Sequence, residues 1–476
     1  MPLTDTTRKP DTASDQPPAA GRTASLALVV ICVGYFLVIL DATVVNVALP
    51  AIGHELQGGV SGLQWVVDAY TLSFAGLLLA GGALAERLGG RRVFAAGLAL
   101  FALASAACGA APSLPVLIAA RLVQGAGAAA LVPASLVLLQ AAYPTAAGRS
   151  RALGVWASIA GIGAACGPVV GGLLVTTWSW RGVFLISVPF AMAALALTRR
   201  CVPVSPRRAR ALDLPGQLLA IAALALATGS LVQAGQLGWT SAPVLGGLAA
   251  SALAAAGFIW AERRSPDPML PLALFRRPAF RSGTAVGLLI NLGFYGQLFV
   301  LSLFFQDVRG YSALLTGVAL LPEAALLIVA STLSGAIMAR TGPRGPMLAG
   351  LTIGGAGLLG IALSGAHAPY ALLVAPMAAA GFGMALTMPA ATASVMDAAP
   401  ADRGGIASGV INAARQAGGV LGVALLGTLV SGASLSGVLP TALIVAAGAF
   451  FAGAALILMG GPAARGPAGP PSGTGG

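Results

Sequence analysis

Five ionisable side chains with complementary chemistry lie inside long apolar stretches of this chain: Asp41, Asp68, Arg121, Glu323 and Arg415. A charged side chain at bilayer depth is costly, so a residue of this kind is a functional candidate. Carboxylates beside a cation can bind and release protons when their surroundings change. The residue types therefore indicate proton binding, ligand recognition or both, inside an apolar bundle.

Depth along the helices groups three of these residues. At a rise of about 1.5 Å per residue, Asp41 lies roughly 9 Å from the outer end of its helix. Arg121 and Asp68 reach a comparable depth from the points where their own helices start. We expect the three side chains to form one polar layer. The alternative is a static ion pair that fixes helix packing for Asp41 and Arg121, and simple solvation for Asp68.

The elements that position these residues are membrane-spanning helices. Charged residues make up 8% of the chain and hydrophobic residues 57%. A bilayer core of about 30 Å needs about 20 consecutive apolar residues as a helix, and such stretches follow one another from Ala24 onward. The predicted fold class is all-α integral membrane with fourteen spans. These lie near 25–47, 63–84, 92–111, 115–140, 151–174, 182–198, 213–234, 242–261, 282–305, 313–338, 346–365, 370–393, 405–431 and 438–459.

The distribution of basic residues predicts the orientation. Arg and Lys total 26. Arg121 and Arg415 fall inside spans, and only Arg181 and Arg309 fall in the loops of one side, which leaves 22 at the termini and in the opposite loops. Cytoplasmic loops carry the positive excess. Both termini are therefore predicted to be cytoplasmic, which requires an even number of spans.

Composition excludes several other classes of protein. Lys9 is the only lysine, so the chain lacks the Gly-Lys-Ser/Thr loop that binds the phosphates of ATP. The arginines lie in short loops instead of on a basic face, and no nucleic acid partner is expected. His54 and His367 are far apart, and we predict no metal, no cofactor and no catalytic cluster. The four cysteines are expected to be free packing residues.

An internal repeat divides the chain. Gly82, Arg87, Gly89 and Arg91 recur 253 residues later as Gly335, Arg340, Gly342 and Arg344. Two six-span halves then flank an extra pair of spans at about 213–261. Parallel repeats of this kind place a binding site between two halves that rock around it.

Four motifs resemble those of the major facilitator superfamily. They are the segment from Gly82 to Arg92, the span 4 segment Leu117–Gly127, the span 5 segment Gly163–Gly172 and the span 1 segment Leu40–Pro50. The last resembles the fourteen-span drug:proton antiporter family, and the chain is similar to its methylenomycin-resistance-type exporters. The resemblance covers about residues 24–460 and implies two six-helix bundles plus an inserted helix pair.

The resemblance also assigns roles. It implies a cytoplasmic latch between the halves, and an antiporter motif whose glycines and proline bend span 5 and limit leakage. The latch residues are Gly82, Glu86, Arg87, Gly89 and Arg91. The antiporter motif residues are Gly163, Gly167, Pro168, Gly171 and Gly172. The alternatives are a short positive loop for the first motif and a packing seam of small residues for the second. Glu86 stands where the family more often has Asp, and Gly90 where it has a basic residue.

Glu323 lies near mid-membrane in span 10, at a depth that matches Arg415 in span 13. The family usually has an apolar residue at the position of Glu323, but both spans face the central cavity in this superfamily. We expect Glu323 to line the cavity, to pair with Arg415 in one state and to recognise cationic cargo when free. The alternative is a protonated or permanently paired glutamate that only holds helices together. Further polar groups available to the cavity are Asn46, Gln124, Asn291, Gln297 and Gln306.

Taken together, the residues and the resemblance predict a monomeric transporter that exports a drug, antibiotic or lipophilic small molecule in exchange for protons across a bacterial cell membrane. The alternative is a transporter of the same fold that moves a metabolite such as a sugar, siderophore or amino acid. The predicted organisation is a disordered cytoplasmic N-terminus (1–23), a six-helix bundle (24–198), cytoplasmic segments with the extra helix pair (199–281), a second six-helix bundle (282–459) and a disordered cytoplasmic tail (460–476).

Overall fold

A computed structural model of the protein describes residues 18–205, 213–265, 268–400, 404–431 and 434–459. Helices occupy nearly all of these ranges, and the ranges contain no β-strand. The all-α class is therefore confirmed. The helices are α1 (Pro18–Leu56), α2 (Val60–Leu88), α3 (Gly90–Gly109), α4 (Leu114–Ala142), α5 (Ala146–Thr177), α6 (Gly182–Leu185), α7 (Ser187–Cys201), α8 (Leu214–Leu237), α9 (Ala242–Arg264), α10 (Pro278–Leu303), α11 (Ala313–Ala319), α12 (Leu321–Ala325), α13 (Leu327–Thr341), α14 (Arg344–Ser364), α15 (Tyr370–Ala398), α16 (Gly404–Val430) and α17 (Leu435–Met459).

The chain termini differ in part from the prediction. Residues 18–23, expected to belong to the disordered N-terminus, form the first turn and a half of α1. Pro18 suits a first helical position because its missing N–H needs no partner there, and the alanines that follow favour helix. The predicted disordered segments at 1–17 and 460–476 lie outside the described residues.

Thirteen helical segments in the described ranges are long and apolar enough to cross a bilayer. One of them joins α6 and α7, from Gly182 to Cys201. The predicted span at 313–338 differs, because three short helices, α11 to α13, follow one another there. Pro322 has no backbone N–H, so one helical hydrogen bond is missing close to Leu320. Leu326 departs from helical backbone geometry, with ψ of 6°. The membrane class is confirmed, and the fourteenth crossing stays a prediction.

The internal repeat is visible in the packing. In the first half, α1 packs on α5 and α3 on α4; in the second half, α10 packs on α16 and α14 on α15. The turn after the second span also recurs, since Gly89 ends α2 with φ of 94° and Gly342 ends α13 with φ of 71°. These φ values suit glycine, which carries no Cβ.

The two halves meet mainly at one end of the bundle. We call this the outer end: it is where α1 ends and α2 begins. There α1 contacts α10, and α5 contacts α11. The contact between α2 and α16 is longer and extends toward the opposite, inner end, where Leu79 lies beside Gly409. The halves are thus closed against each other at the outer end.

The inserted helix pair packs at the side of this interface. Helix α8 contacts α2 of the first half and α16 of the second, while α9 packs on α8. Val244 and Glu262 are the buried residues of α9, so this helix presents most of its surface outward. The pair therefore touches the line along which the two halves meet.

Candidate functional site

An ion pair between Asp41 and Arg121 lies at the centre of the first half. Asp41 in α1 accepts a hydrogen bond from an Nη1–H of Arg121 in α4, and both side chains are fully buried. Gln124, one turn along α4, donates from Nε2 to Asp41 Oδ1 at 2.8 Å and accepts from Arg121 Nη1 at 2.7 Å. The same Nε2 lies 2.8 Å from the hydroxyl of Ser105 in α3. Four side chains therefore form one enclosed polar network.

Arg121 is also held from other directions. Its Nε donates to the Val66 carbonyl of α2 at 2.9 Å, and its guanidinium carbon lies 4.3 Å from the centre of the Tyr70 ring. A cation over an aromatic face is attracted by the ring's negative face. Tyr70 is fixed in turn by a 3.0 Å bond from its hydroxyl to the Val38 carbonyl. The cation is therefore immobilised, and Asp41 is its anionic partner.

Asp68 does not join this network. It is fully buried, and neither carboxylate oxygen has a hydrogen-bond partner in the part of the chain that the structure describes. Val66 and Tyr70, which face Arg121, are four residues apart on one side of α2. A residue midway between them points about 200° around the helix from each. The expected layer thus consists of Asp41 and Arg121, with Asp68 on another face.

Asn46 lies one turn and a half beyond Asp41 on α1 and is also outside the network. Its side chain donates to the carbonyls of Ala42 and Thr43 in its own helix. Its backbone carbonyl accepts a 2.8 Å hydrogen bond from the hydroxyl of Ser302 in α10. Asn46 therefore contributes its backbone to the contact between halves.

Two more polar side chains cross between the halves at the outer end. Gln64 in α2 donates to the Val423 and Ala424 carbonyls of α16 at 3.2 and 2.8 Å. Gln306 donates to the Val47 carbonyl of α1 at 3.0 Å. Sequence reasoning missed Gln64 and Ser302, and it named Gln306 only as a polar group. We call the bonds from these three donors, Gln64, Ser302 and Gln306, the outer polar contacts.

The structure does not bring Glu323 and Arg415 together. Glu323 is 3% exposed, and its Oε2 accepts from Gln297 Nε2 of α10 at 3.0 Å. Arg415 has a long contact of 3.4 Å to Asn412 in its own helix, and its buried Nε has no hydrogen-bond partner among the described residues. The expected pairing is absent from this state because Glu323, on the short helix α12, is enclosed within the second half.

The residues of the predicted latch lie at the inner end, at the turn between α2 and α3. Gly89 closes the turn, and Gly82 on α2 lies near Pro133 of α4. Arg91 donates to the Val202 carbonyl at 3.4 Å, and the Gly90 N–H donates to Ser205 at 2.6 Å. Arg87 is exposed, and Glu86 is partly buried. The hydrogen bonds of Gly90 and Arg91 join this turn to the segment that follows α7.

The glycines of the predicted antiporter motif pack against two different helices. Gly163, Gly167 and Gly171 face α1; a Cβ on Gly171 would come within 2.6 Å of the Val44 carbonyl oxygen. Gly172 faces α11 of the second half, where a Cβ would lie 2.7 Å from Leu314 Cα. Pro168 lies inside the continuous helix α5, and its carbonyl adjoins Gly317 of α11. The motif is a close-packed seam that also joins the halves.

Aromatic side chains occur on α1, α5 and α10, three helices that contact the opposite half. Tyr35 of α1 stacks on Trp156 of α5, with ring centres 3.8 Å apart and planes inclined by 5°. The Trp156 indole donates to Ser135 at 3.1 Å. Tyr295 of α10 is close enough to Tyr35 for their hydroxyls to interact electrostatically. Sequence reasoning missed these rings because isolated aromatic residues in apolar helices carry no distinctive spacing.

Comparison with known proteins gives consistent results. A sequence model of the family described as Major Facilitator Superfamily matches residues 31–423. The chain is 41% identical over 411 residues to multidrug resistance protein Stp of Mycobacterium tuberculosis, covering 86% of this chain and 76% of that protein. It is 38% identical over 420 residues to the methylenomycin A resistance protein of Streptomyces coelicolor, covering 88% of each. A crystal structure of a POT family transporter in complex with 5-aminolevulinic acid matches with a TM-score of 0.70 at 14% identity, over 92% of this chain and 96% of that chain. This last likeness concerns the fold alone.

Proposed function

The chain belongs to the Major Facilitator Superfamily, and from this premise we propose that it is a proton-coupled antiporter that exports a drug, antibiotic or other lipophilic compound by alternating access. It is a transporter by family. The names of its relatives, a multidrug resistance protein and a methylenomycin A resistance protein, support the export of antibiotics. Exchange for protons is the part of the proposal that rests on the chain's own residues.

The observation that carries proton coupling is the enclosed pair of Asp41 and Arg121. A carboxylate in this setting is charged while the arginine neutralises it, and protonation removes that attraction. Arg121 stays in place because Val66 and Tyr70 hold it. Protonation therefore loosens α1 from α4 at Asp41.

The same helix carries the consequence to the interface between halves. Asn46 and Val47 lie five and six residues beyond Asp41, about 8–9 Å along α1. Their carbonyls accept from Ser302 and Gln306 of the second half. A shift of α1 on protonation acts directly on two of the outer polar contacts. Proton binding and opening of the outer end are thus coupled through one rigid helix.

The conformation of the halves agrees with a transport cycle. Closed contacts at the outer end, with α5 joined to α11 there, fit the state that receives substrate from the inner side. Entry of one proton yields about 2.3 kcal/mol per 100 mV of membrane potential and about 1.4 kcal/mol per pH unit. These energies sustain export against a concentration gradient without ATP.

The proposal includes the cellular setting. The chain lies in the bacterial cytoplasmic membrane as a monomer, with both termini and the 199–212 loop in the cytoplasm. The partition of basic residues into 22 on one side and two on the other supports this orientation. The proposed domains are a first bundle at 24–198, the inserted pair within 199–281 and a second bundle at 282–459.

A two-step experiment tests the proposal. A susceptibility screen in an efflux-deficient bacterium identifies compounds against which the chain protects. Any such compound is then followed in proteoliposomes with an imposed pH gradient. We expect accumulation that requires the gradient and collapses with a protonophore. Protection without any dependence on the proton gradient contradicts antiport, and transport of sugars, siderophores or amino acids alone contradicts drug export.

A further inference from the structure

Arg415 is a membrane-embedded cation without a counter-charge in the described ranges. It lies about eleven residues into α16, near mid-membrane. Its Nε is buried and unpartnered, and its hydrogen bond to Asn412 is 3.4 Å long. Arg121, the other membrane-embedded arginine, is paired with Asp41. An arginine keeps its charge at any physiological pH, so its environment must supply an anion or strong acceptors.

Glu323, the carboxylate expected to pair with Arg415, does not serve this purpose. Glu323 is bound to Gln297 and enclosed. Arg415 instead packs with its aliphatic stem toward Gly287 of α10, and the absence of a side chain there leaves room for it. The residue is partly exposed, unlike the fully buried Arg121. Part of the Arg415 side chain is therefore accessible to a ligand.

Two tyrosines, one from each half, lie near Arg415. The Tyr295 ring of the second half adjoins Gly419, one helical turn beyond Arg415 on α16, and Tyr35 of the first half is close enough to Arg415 for an electrostatic interaction. Tyr35 is stacked face to face on Trp156, which makes a planar aromatic surface on the first half. Tyr295 packs edge-on against Phe294. Planar apolar groups bind well to such rings.

From this arrangement we propose that Arg415 binds the anionic group of the transported molecule, and that the substrates are planar, apolar compounds carrying a carboxylate or another acidic oxygen. The planar guanidinium offers paired N–H donors that match a carboxylate. The aromatic body of the substrate lies against Tyr35 and Trp156. The inference rests on the proposed transport function and names its substrate class.

Recognition by Arg415 is also compatible with the proton cycle. Tyr35 lies six residues before Asp41 on the same helix, about 9 Å away along its axis. A substrate that contacts Tyr35 and Arg415 bridges α1 of the first half and α16 of the second. Its binding energy therefore acts on the relative position of the halves, while the proton acts on α1 through Asp41. The substrate contacts α1 at Tyr35, and the proton binds the same helix at Asp41.

Direct binding to the purified full-length protein in nanodiscs tests the substrate class. The probes are two matched trios: 1-pyrenebutyrate, its methyl ester and 1-pyrenebutylammonium; and 2-naphthoate, its methyl ester and 2-naphthylmethylammonium. Within each trio the planar body is kept and the charge changes. We expect at least one anion to bind about ten- to a hundredfold more tightly than its ester, the factor that a charged hydrogen bond provides. Anions that bind no more tightly than their esters in both trios overturn the proposal.

Substitutions test whether Arg415 causes the preference for the anionic probe over its ester. Arg415→Gln is expected to abolish the preference for the anion and to leave the affinity of the ester within about twofold. Arg415→Lys keeps the charge without the planar fork, and we expect it to retain part of the preference. Arg281→Gln removes the same charge from an exposed position at the start of α10 and serves as the matched control. An unchanged preference in Arg415→Gln overturns the assignment, and the wild-type trios decide the substrate class even if this variant fails to fold.

The outcome separates this inference from the proposed function. Wild-type protein that exports only cationic or neutral compounds in exchange for protons contradicts the role of Arg415 and leaves antiport intact. Protein that binds the anions but transports nothing against a proton gradient supports the site and contradicts antiport.

Discussion

The hydroxyl of Ser302 donates a 2.8 Å hydrogen bond to the carbonyl of Asn46, and this bond ties α10 of the second half to α1 of the first. Asp41 lies on the same helix, five residues before Asn46. The fully buried ion pair of Asp41 with Arg121 is therefore separated from the contact between halves by little more than one helical turn. In the proposed mechanism, this short connection links proton binding at Asp41 to the outer end.

Ser302→Ala should shift the protein toward states that are open at the outer end. One hydrogen bond contributes about 0.5–1.5 kcal/mol, which corresponds to about a two- to tenfold change in population. Double electron–electron resonance measures the opening as the distance between spin labels at positions 177 of α5 and 315 of α11. The labels are attached to cysteines introduced there after the four native cysteines are replaced by serine. We expect a larger fraction of long distances.

Ser251→Ala is the matched control for this experiment. Ser251 donates to the Ala223 carbonyl at 2.7 Å within the inserted helix pair, so its loss removes a similar bond that does not cross the halves. Equal distance distributions for Ser302→Ala and Ser251→Ala would show that the outer polar contacts do not set the conformation.

A pair of glycine substitutions on α5 tests the packing seam. Gly171→Ala places a Cβ 2.6 Å from the Val44 carbonyl oxygen, whereas Gly161 has open space at its Cβ position. Overpacking costs about 1–3 kcal/mol, and glycine to alanine in an unobstructed helix gains about 0.5–1 kcal/mol. We expect Gly171→Ala to lower the thermal midpoint in detergent and Gly161→Ala to leave it equal or higher. The reverse order would mean that α1 and α5 are not closely packed in solution.

Cysteine labelling tests the orientation. A single cysteine at position 206, outside the described residues, should react with a membrane-impermeant reagent only after cells are opened, because the Arg-rich loop is predicted to be cytoplasmic. A cysteine in place of Trp239, which is exposed between α8 and α9, should react in intact cells. Labelling of position 206 from outside contradicts the assigned topology.

The sequence predicted the fold class and the proximity of Asp41 to Arg121, because apolar length and helical depth can both be read from the order of residue types. Apolar length defines the spans, and the estimated depths of Asp41 and Arg121 agree closely enough to place them together. Depth alone does not give the face of a helix, and it therefore groups Asp68 with Asp41 and Arg121. The direction of the Asp68 side chain depends on how α2 is rotated about its axis, and packing against other helices determines that rotation.

The remaining differences have similar causes. Average hydropathy over 313–338 does not register the local breaks near Leu320 and Leu326. Glu323 lies between those breaks and contacts Gln297 instead of Arg415.

The outer polar contacts use backbone carbonyls as acceptors, and every residue has one. The sequence therefore gives no signal that distinguishes Gln64 and Ser302 from other polar residues, and they were missed. These contacts depend on how the halves are placed in one state of the cycle.

Proton release on substrate binding tests the central claim most directly. Purified protein in weakly buffered detergent solution is mixed with a compound identified by the susceptibility screen, and a pH-indicator dye reports released protons. The wild type and Glu55→Gln, which alters a half-exposed carboxylate on the same helix, should release protons on binding. Asp41→Asn should still reach the membrane and bind the compound, with proton release and uphill export largely lost. Asp41→Asn that releases as many protons as the wild type and exports against a gradient at the normal rate would contradict the assignment of Asp41 as the coupling residue.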